Sequence, residues 1–129
     1  MRRTWPLLLV LGIAACGRGS ALQDLPYVPG ASVVGQTAFV GEMFGLPRSA
    51  WEQVELRVER PFEQVRDFYA KVAISGWTPI FESESAKLGG RSYSRFLADA
   101  RRRRFYVIGV EERLTSKDVS VLLRRGVAK

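Results

Sequence analysis

The sequence predicts an α+β domain, a single helix packed on a curved antiparallel β-sheet, in the order ββαββββ. Three observations carry this. Residues 61–75 repeat their apolar side chains at helical spacing, and no other stretch does so convincingly. Residues 53–59 alternate strictly between polar and apolar. After Gly76, four short apolar segments follow one another with turn-prone stretches between them, which favours a meander of antiparallel neighbours.

The elements follow in order. The domain is expected to span residues 30–127, opening at Pro29-Gly30. Residues 31–35 are β-branched enough for an edge strand. Residues 36–50 hold Phe39, Val40, Met43, Phe44 and Leu46 among glycines and a proline, and read either as a loop with apolar anchors or as a short strand plus turn. In 53–59, Val54, Leu56 and Val58 share one face and Glu55, Arg57 and Glu59 the other, the pattern of a half-buried strand. In the helix, Phe62, Val65, Phe68, Tyr69 and Val72 form one stripe. Pro61 suits the first helical position, where a missing N–H costs nothing. Glu63 in the first turn and Lys71 in the last complement the helix dipole, and Gly76 is the expected stop. No side-chain cap precedes Pro61. Strands are then expected over 77–82, 91–97, 103–111 and 119–124, with turns in 83–90, 98–102 and 112–118. In the third of these, Phe105 and Val107 oppose Tyr106, Ile108 and Val110; two apolar faces mark a central strand covered on both sides.

Composition narrows the chemistry. A chain of 129 residues fits one domain, and 47% hydrophobic residues are enough to build a core. One cysteine excludes an intramolecular disulfide. Without histidine there is no imidazole for a metal or a catalytic triad. A net charge of +7 favours contact with anionic surfaces and does not choose among lipid, glycan and nucleic acid.

The first residues carry an address. Arg2 and Arg3 precede an apolar run, residues 5–13, which is far shorter than the roughly 20 residues a membrane-spanning helix needs. Ala14, Ala15 and Cys16 follow. This is the three-part layout of a secretory signal. Ile13-Ala14-Ala15-Cys16 resembles the lipobox of bacterial lipoproteins, with Ile where Leu is usual. The resemblance implies cleavage between Ala15 and Cys16, a diacylglyceryl group on the Cys16 thiol, and an acyl chain on its new amino group. One chain holds a protein weakly to a bilayer and two or three hold it stably. The competing reading is an ordinary signal peptide cut near Ala15 or Ala21. Residues 1–15 are thus expected to be a signal peptide, and 16–29 the lipidated cysteine with a flexible tether. Loss of Arg2 and Arg3 leaves 18 basic against 13 acidic side chains. Gly17 stands where the family's inner-membrane members in enteric bacteria carry Asp, which is compatible with the outer membrane, the address expected first for a periplasm-facing protein of this kind, and leaves the inner membrane open.

A second resemblance covers most of residues 26–125. "PYVPGASVVG", then "ELRVERPFEQVRDFYAKVAISGWT", is similar to small bacterial envelope lipoproteins of no agreed activity. It implies the fold and no reaction.

Arg101, Arg102, Arg103 and Arg104, running into Phe105-Tyr106, form the conspicuous cluster. They could bind an anion. Aromatic residues beside arginines also occur in single-strand nucleic-acid binders, but an exported protein rarely meets nucleic acid. The favoured reading is a solvated hairpin turn with the aromatics in the core. Arg124-Arg125 would strengthen an anion site if the fold brought it close. Glu82, Glu84, Glu111 and Glu112 show no catalytic spacing, and Glu111-Glu112 is expected to offset arginines. Ser83, Ser85, Ser92 and Ser94 lack a histidine base and a nucleophile elbow. Gly89-Gly90 lacks the flanks of a phosphate loop. The expectation is a non-enzymatic, lipid-anchored envelope protein without a cofactor. It serves as a protein-interaction or envelope-complex accessory domain, or binds an anionic lipid or glycan through Arg101–Arg104.

Overall fold

The computed structural model describes residues 25–43 and 46–128. Cys16, Ala15, the signal segment and the tether as far as residue 24 lie outside the described residues. Six strands form one antiparallel sheet: β1 (Ser32–Met43), β2 (Leu46–Val58), β3 (Trp77–Lys87), β4 (Gly90–Asp99), β5 (Arg104–Glu112) and β6 (Val119–Val127). Among the described residues one helix, α1 (Phe62–Ala70), lies between β2 and β3 in the chain. The spatial order is β1-β2-β6-β5-β4-β3. β3 to β6 are the meander, and β2 closes onto β6.

The alternation of β2 puts Val54, Leu56 and Val58 beneath α1, with Val119, Val121 and Leu123 of β6 and Tyr106, Ile108 and Val110 of β5. Phe62, Val65 and Tyr69 descend from the helix onto them. Side chains of this size each contribute about 1.5–3 kcal/mol when fully buried. The opposite face of the sheet carries a second cluster, Trp51, Ala98, Phe105 and Val107, flanked by Phe39, Ile80 and Phe96. β5 is therefore covered on both faces, and it occupies an interior place in the sheet. The ring of Trp51 lies flat against Gly126, where an added Cβ would stand 2.6 Å from three ring carbons.

Several boundaries differ from expectation for physical reasons. The helix ends at Ala70, not Ser75. Lys71 is its C-cap, and the amides of Lys71 and Val72 close short bonds to the carbonyls of Phe68 and Tyr69 (both 3.3 Å). Pro61 is the N-cap rather than the first helical residue. Gly76, with φ +84°, turns the chain into β3 instead of stopping the helix. Residues 36–50, left open between a loop and a strand with turn, mostly belong to the β1–β2 hairpin. β3 continues through Lys87, so the expected turn over 83–90 shrinks to Leu88-Gly89. The core also begins before residue 30. Leu25 and Val28, expected in the tether, are buried. Tyr69 fixes them: its hydroxyl donates to the Pro26 carbonyl (3.0 Å) and accepts from the Val28 amide (3.1 Å). A turn over Val28-Pro29-Gly30-Ala31 follows, closed by Ala31 N–H on Val28 O (3.1 Å), with Gly30 at φ +88° as a type II turn requires.

Candidate functional site

The arginine tetrad occupies the turn from β4 to β5. Asp99 organises it. The Asp99 carbonyl accepts from the Arg102 amide (3.0 Å), and its carboxylate accepts from the amides of Arg103 (2.9 Å) and Arg104 (3.2 Å). Burial alone would raise the Asp99 carboxyl; these amides and the Arg104 guanidinium outweigh it and hold it below the ordinary range. Ala128 N–H bonds Arg103 O (2.7 Å), tying the turn to the end of β6. Arg102 sits at φ +56°, a left-handed conformation that costs a residue with a Cβ about 1–2 kcal/mol.

The side chains divide. Arg104 leans on Asp99 (3.5 Å). Arg101, Arg102 and Arg103 are exposed, and none has a carboxylate within 4 Å among the described residues. Phe105 and Tyr106 are buried, as the hairpin-turn reading expects, so no aromatic surface accompanies the arginines.

Arg124 and Arg125 part company. Val107 faces Arg124 across the sheet, three residues inboard of the tetrad's end, on the face away from α1. There the half-buried Arg124 guanidinium donates to Gln53 (2.7 Å); desolvation lowers its pKa and Glu111 partly restores it. Arg125 pairs in register with Tyr106, and Arg104 with Val127, so Arg125 stands diagonal to Arg104 on the same face. It is 3.9 Å from Glu52. Only Arg125 therefore joins the basic end.

Of the carboxylates weighed earlier, Glu82, Glu84 and Glu112 are held by neighbours. Glu112 and Glu63 grip Arg91 from two elements. The guanidinium bonds Glu112 through Nε (3.2 Å) and Nη2 (3.1 Å), and Glu63 of α1 through Nη1 (2.7 Å). Both carboxyls are driven below their usual range, first by these hydrogen bonds. Glu84 meets Arg66 at 3.2 Å, and Glu82 accepts the Tyr93 hydroxyl at 2.5 Å. Glu111 borders a hollow of about 180 Å³ above Gly109 and is the one carboxylate on its walls. Ser85 and Ser92 bond one another at 2.9 Å. Among the described residues no three His, Cys, Asp or Glu gather as a metal set, and no helix is long and apolar enough to cross a membrane.

Sequence reasoning missed Arg95. It is 8% exposed and its Nη1 donates to the carbonyls of Tyr69 (2.8 Å) and Val72 (2.6 Å) at the end of α1. Its signal was present: Arg95 stands between Tyr93 and Leu97 on the strand face that the alternation buries. A charge at such a position asks for a buried acceptor.

No protein-family model, no curated protein and no solved structure matches this chain.

Proposed function

We propose that the chain is a lipid-anchored protein of the bacterial envelope, facing the periplasm from the outer membrane, and that its domain binds rather than catalyses as an accessory of an envelope protein complex. The lipobox resemblance at Ile13–Cys16 supports the anchor. The observation that carries the binding role is the sheet face turned away from α1. Among the described residues helical cover lies on one side, and the other presents the Phe81–Phe96 ring pair, with Phe81 56% exposed. Register shifts in the β1–β2 and β3–β4 pairings mark places where strands can bend, and they support reading this platform as curved.

The test begins with the intact mass of the mature protein from bacterial membranes, beside a Cys16→Ser version. Loss of residues 1–15 with acyl mass on Cys16 is expected. An unlipidated mass would remove the anchor. Crosslinking through a photoreactive residue at Phe81 in intact cells then tests the platform; no adduct above background would remove the interaction role.

A second reading has its own observation. Arg101, Arg102 and Arg103 reach solvent without carboxylate partners among the described residues, which leaves them able to hold the phosphate or sulfate oxygens of an anionic lipid or glycan. Such binding weakens steeply with salt and fails when Arg101–Arg104 become Gln, whereas an apolar interface is nearly indifferent to both.

A further inference from the structure

We propose that the β4–β5 end of the domain docks on the anionic surface of the bilayer to which the chain is tethered, with Arg101, Arg102 and Arg103 on lipid phosphates and Val127 and Val40 against the headgroup boundary. This rests on the lipid-anchor reading and deepens the anion reading of the tetrad by naming its partner.

Three observations converge on that end. First, the three guanidiniums are exposed, have no carboxylate within 4 Å among the described residues, and are carried on a turn fixed by Asp99. Second, an apolar row adjoins them. Register pairing aligns Arg104 with Val127, Val127 with Ala50, and Ala50 with Val40. These four residues cross β5, β6, β2 and β1 on one face, a span of about 14 Å at the usual strand spacing. Val40 is 71% exposed and Val127 37%. They border a hollow of about 340 Å³ whose walls include Ala38, Ala50 and Arg125. Arginines beside an exposed aliphatic strip match a surface that offers phosphate above and hydrocarbon below.

Third, the tether arrives from this side. Pro26 shares a groove with Lys71 and Val72, just past the C-terminal end of α1. Gly30 lies against Val58 and Arg60, before its N-terminal end. The N-terminal segment thus runs antiparallel to the helix. It enters where β3 begins, and there Trp77 pairs with Asp99, at the foot of the arginine turn. Nine residue steps separate Cys16 from Leu25, a reach of at most about 32 Å. A lipid on Cys16 thus lies nearer this end than the Leu88 end and favours it toward the bilayer. Each arginine near an anionic surface favours the docked state about fivefold, so three shift it on the order of 100-fold.

The test uses the mature lipidated protein, purified in detergent and reconstituted into vesicles of phosphatidylcholine, with or without about a third phosphatidylglycerol. Ala100→Cys puts a labelling thiol beside the tetrad, Cys16 being acylated. Leu88→Cys, at a site 98% exposed at the far end of the sheet, is the control. A fluorophore on each is read against headgroup-quencher lipids. Strong quenching at position 100 and little at 88 is expected with phosphatidylglycerol, reversed by 1 M salt and by Arg101→Gln/Arg102→Gly/Arg103→Gln. Equal quenching at both ends, or quenching at 100 that ignores phosphatidylglycerol, would overturn the proposal. So would loss of quenching only when a soluble sulfated glycan outcompetes the vesicles at stoichiometric concentration, which would assign the site to glycan. Acyl mass on Cys16 is measured on the same sample, so failure of the anchor shows separately. In that event the unlipidated chain is floated with both vesicle types, and salt-sensitive flotation with phosphatidylglycerol alone is the outcome that upholds docking.

Discussion

Replacing Arg95 with Met tests the account of why α1 ends at Ala70. One nitrogen, Nη1, donates to Tyr69 O at 2.8 Å and Val72 O at 2.6 Å, and the residue is 8% exposed. A helix leaves its last carbonyls without partners, and here two acceptors near its end share one buried cation. Hydrogen bonds to a charged group are worth about 1.5–3 kcal/mol each, but removing the guanidinium also refunds its desolvation. Tyr69 O retains the Val72 amide, whereas Val72 O has no other bond described. The net loss is therefore about 2–3 kcal/mol, or roughly 10–20 °C in Tm for a domain of about 100 residues. Thermal and urea unfolding followed by far-UV circular dichroism measure it, and amide exchange locates it at residues 70–72. Because both bonds leave one nitrogen, an ammonium has donors enough, and Arg95→Lys is expected to recover part of the loss. A change below about 0.5 kcal/mol for Met, or Lys as damaging as Met, would refute the capping argument.

Gly126→Ala drives a methyl to 2.6 Å from the buried Trp51 ring and is expected to cost about 1–3 kcal/mol, with a shifted tryptophan emission that an intact fold would not show. Tyr69→Phe leaves the Val28 amide without its acceptor; about 1–3 kcal/mol is lost and residues 25–28 exchange faster. Burial pushes the Tyr69 phenol up to about 12, so the folded state prefers the protonated ring, and this contribution is complete below about pH 10 and lost as pH climbs toward 12. At the acid side the sign reverses. The Glu63 and Glu112 carboxyls are depressed by Arg91, so their contribution is present above about pH 4.3 and disappears as pH falls through their folded values, and Arg91→Gln is expected to flatten that acid limb in pH-dependent urea titrations. Arg102→Gly relieves φ +56° and is expected to raise stability by about 1 kcal/mol; a fall would show that the Arg102 side chain supports the turn.

The legible parts of the sequence were those where one face is buried and the other wet. Val54, Leu56 and Val58 announced β2, and the helical stripe announced α1, because burial imposes a period. Phe105 to Val110 announced a doubly covered strand in the same way. Periodicity fails where neither face is buried. β3 beyond Phe81 is exposed on both sides at the sheet edge, so Glu82, Ser83, Glu84 and Ser85 look like a turn although β4 pairs with each of them. β1 is the other edge, and Gly35 and Gly41 interrupt its pattern. The helix end was misplaced because its stop depends on Arg95, which comes from β4 and is remote in sequence. The tether boundary was misplaced likewise, since what orders Pro26 and Val28 is the hydroxyl of Tyr69, more than 40 residues away. Of the candidate site, the turn was legible and the divergence of Arg124 from Arg125 was not, because strand register alone decides it.

The positive charge is unevenly used, and this bears on the tetrad. Arg57, Arg66, Arg91, Arg113 and Arg125 each lie within 4 Å of a carboxylate, and Arg95 satisfies backbone carbonyls. These arginines have structural work that their neighbours explain. Arg101, Arg102 and Arg103 have no such partner among the described residues: like charges adjoin, one backbone is left-handed, and Asp99 and Ala128 already hold the turn through backbone groups. A hairpin turn that had only to connect β4 to β5 would be more stable with Asn or Gly at Arg102 and with less mutual repulsion. Features that oppose local stability and serve no internal contact are most readily understood through what they meet outside the fold. The described chain begins beside this turn, so under the lipid-anchor reading proposed above the surface these arginines would meet is the bilayer.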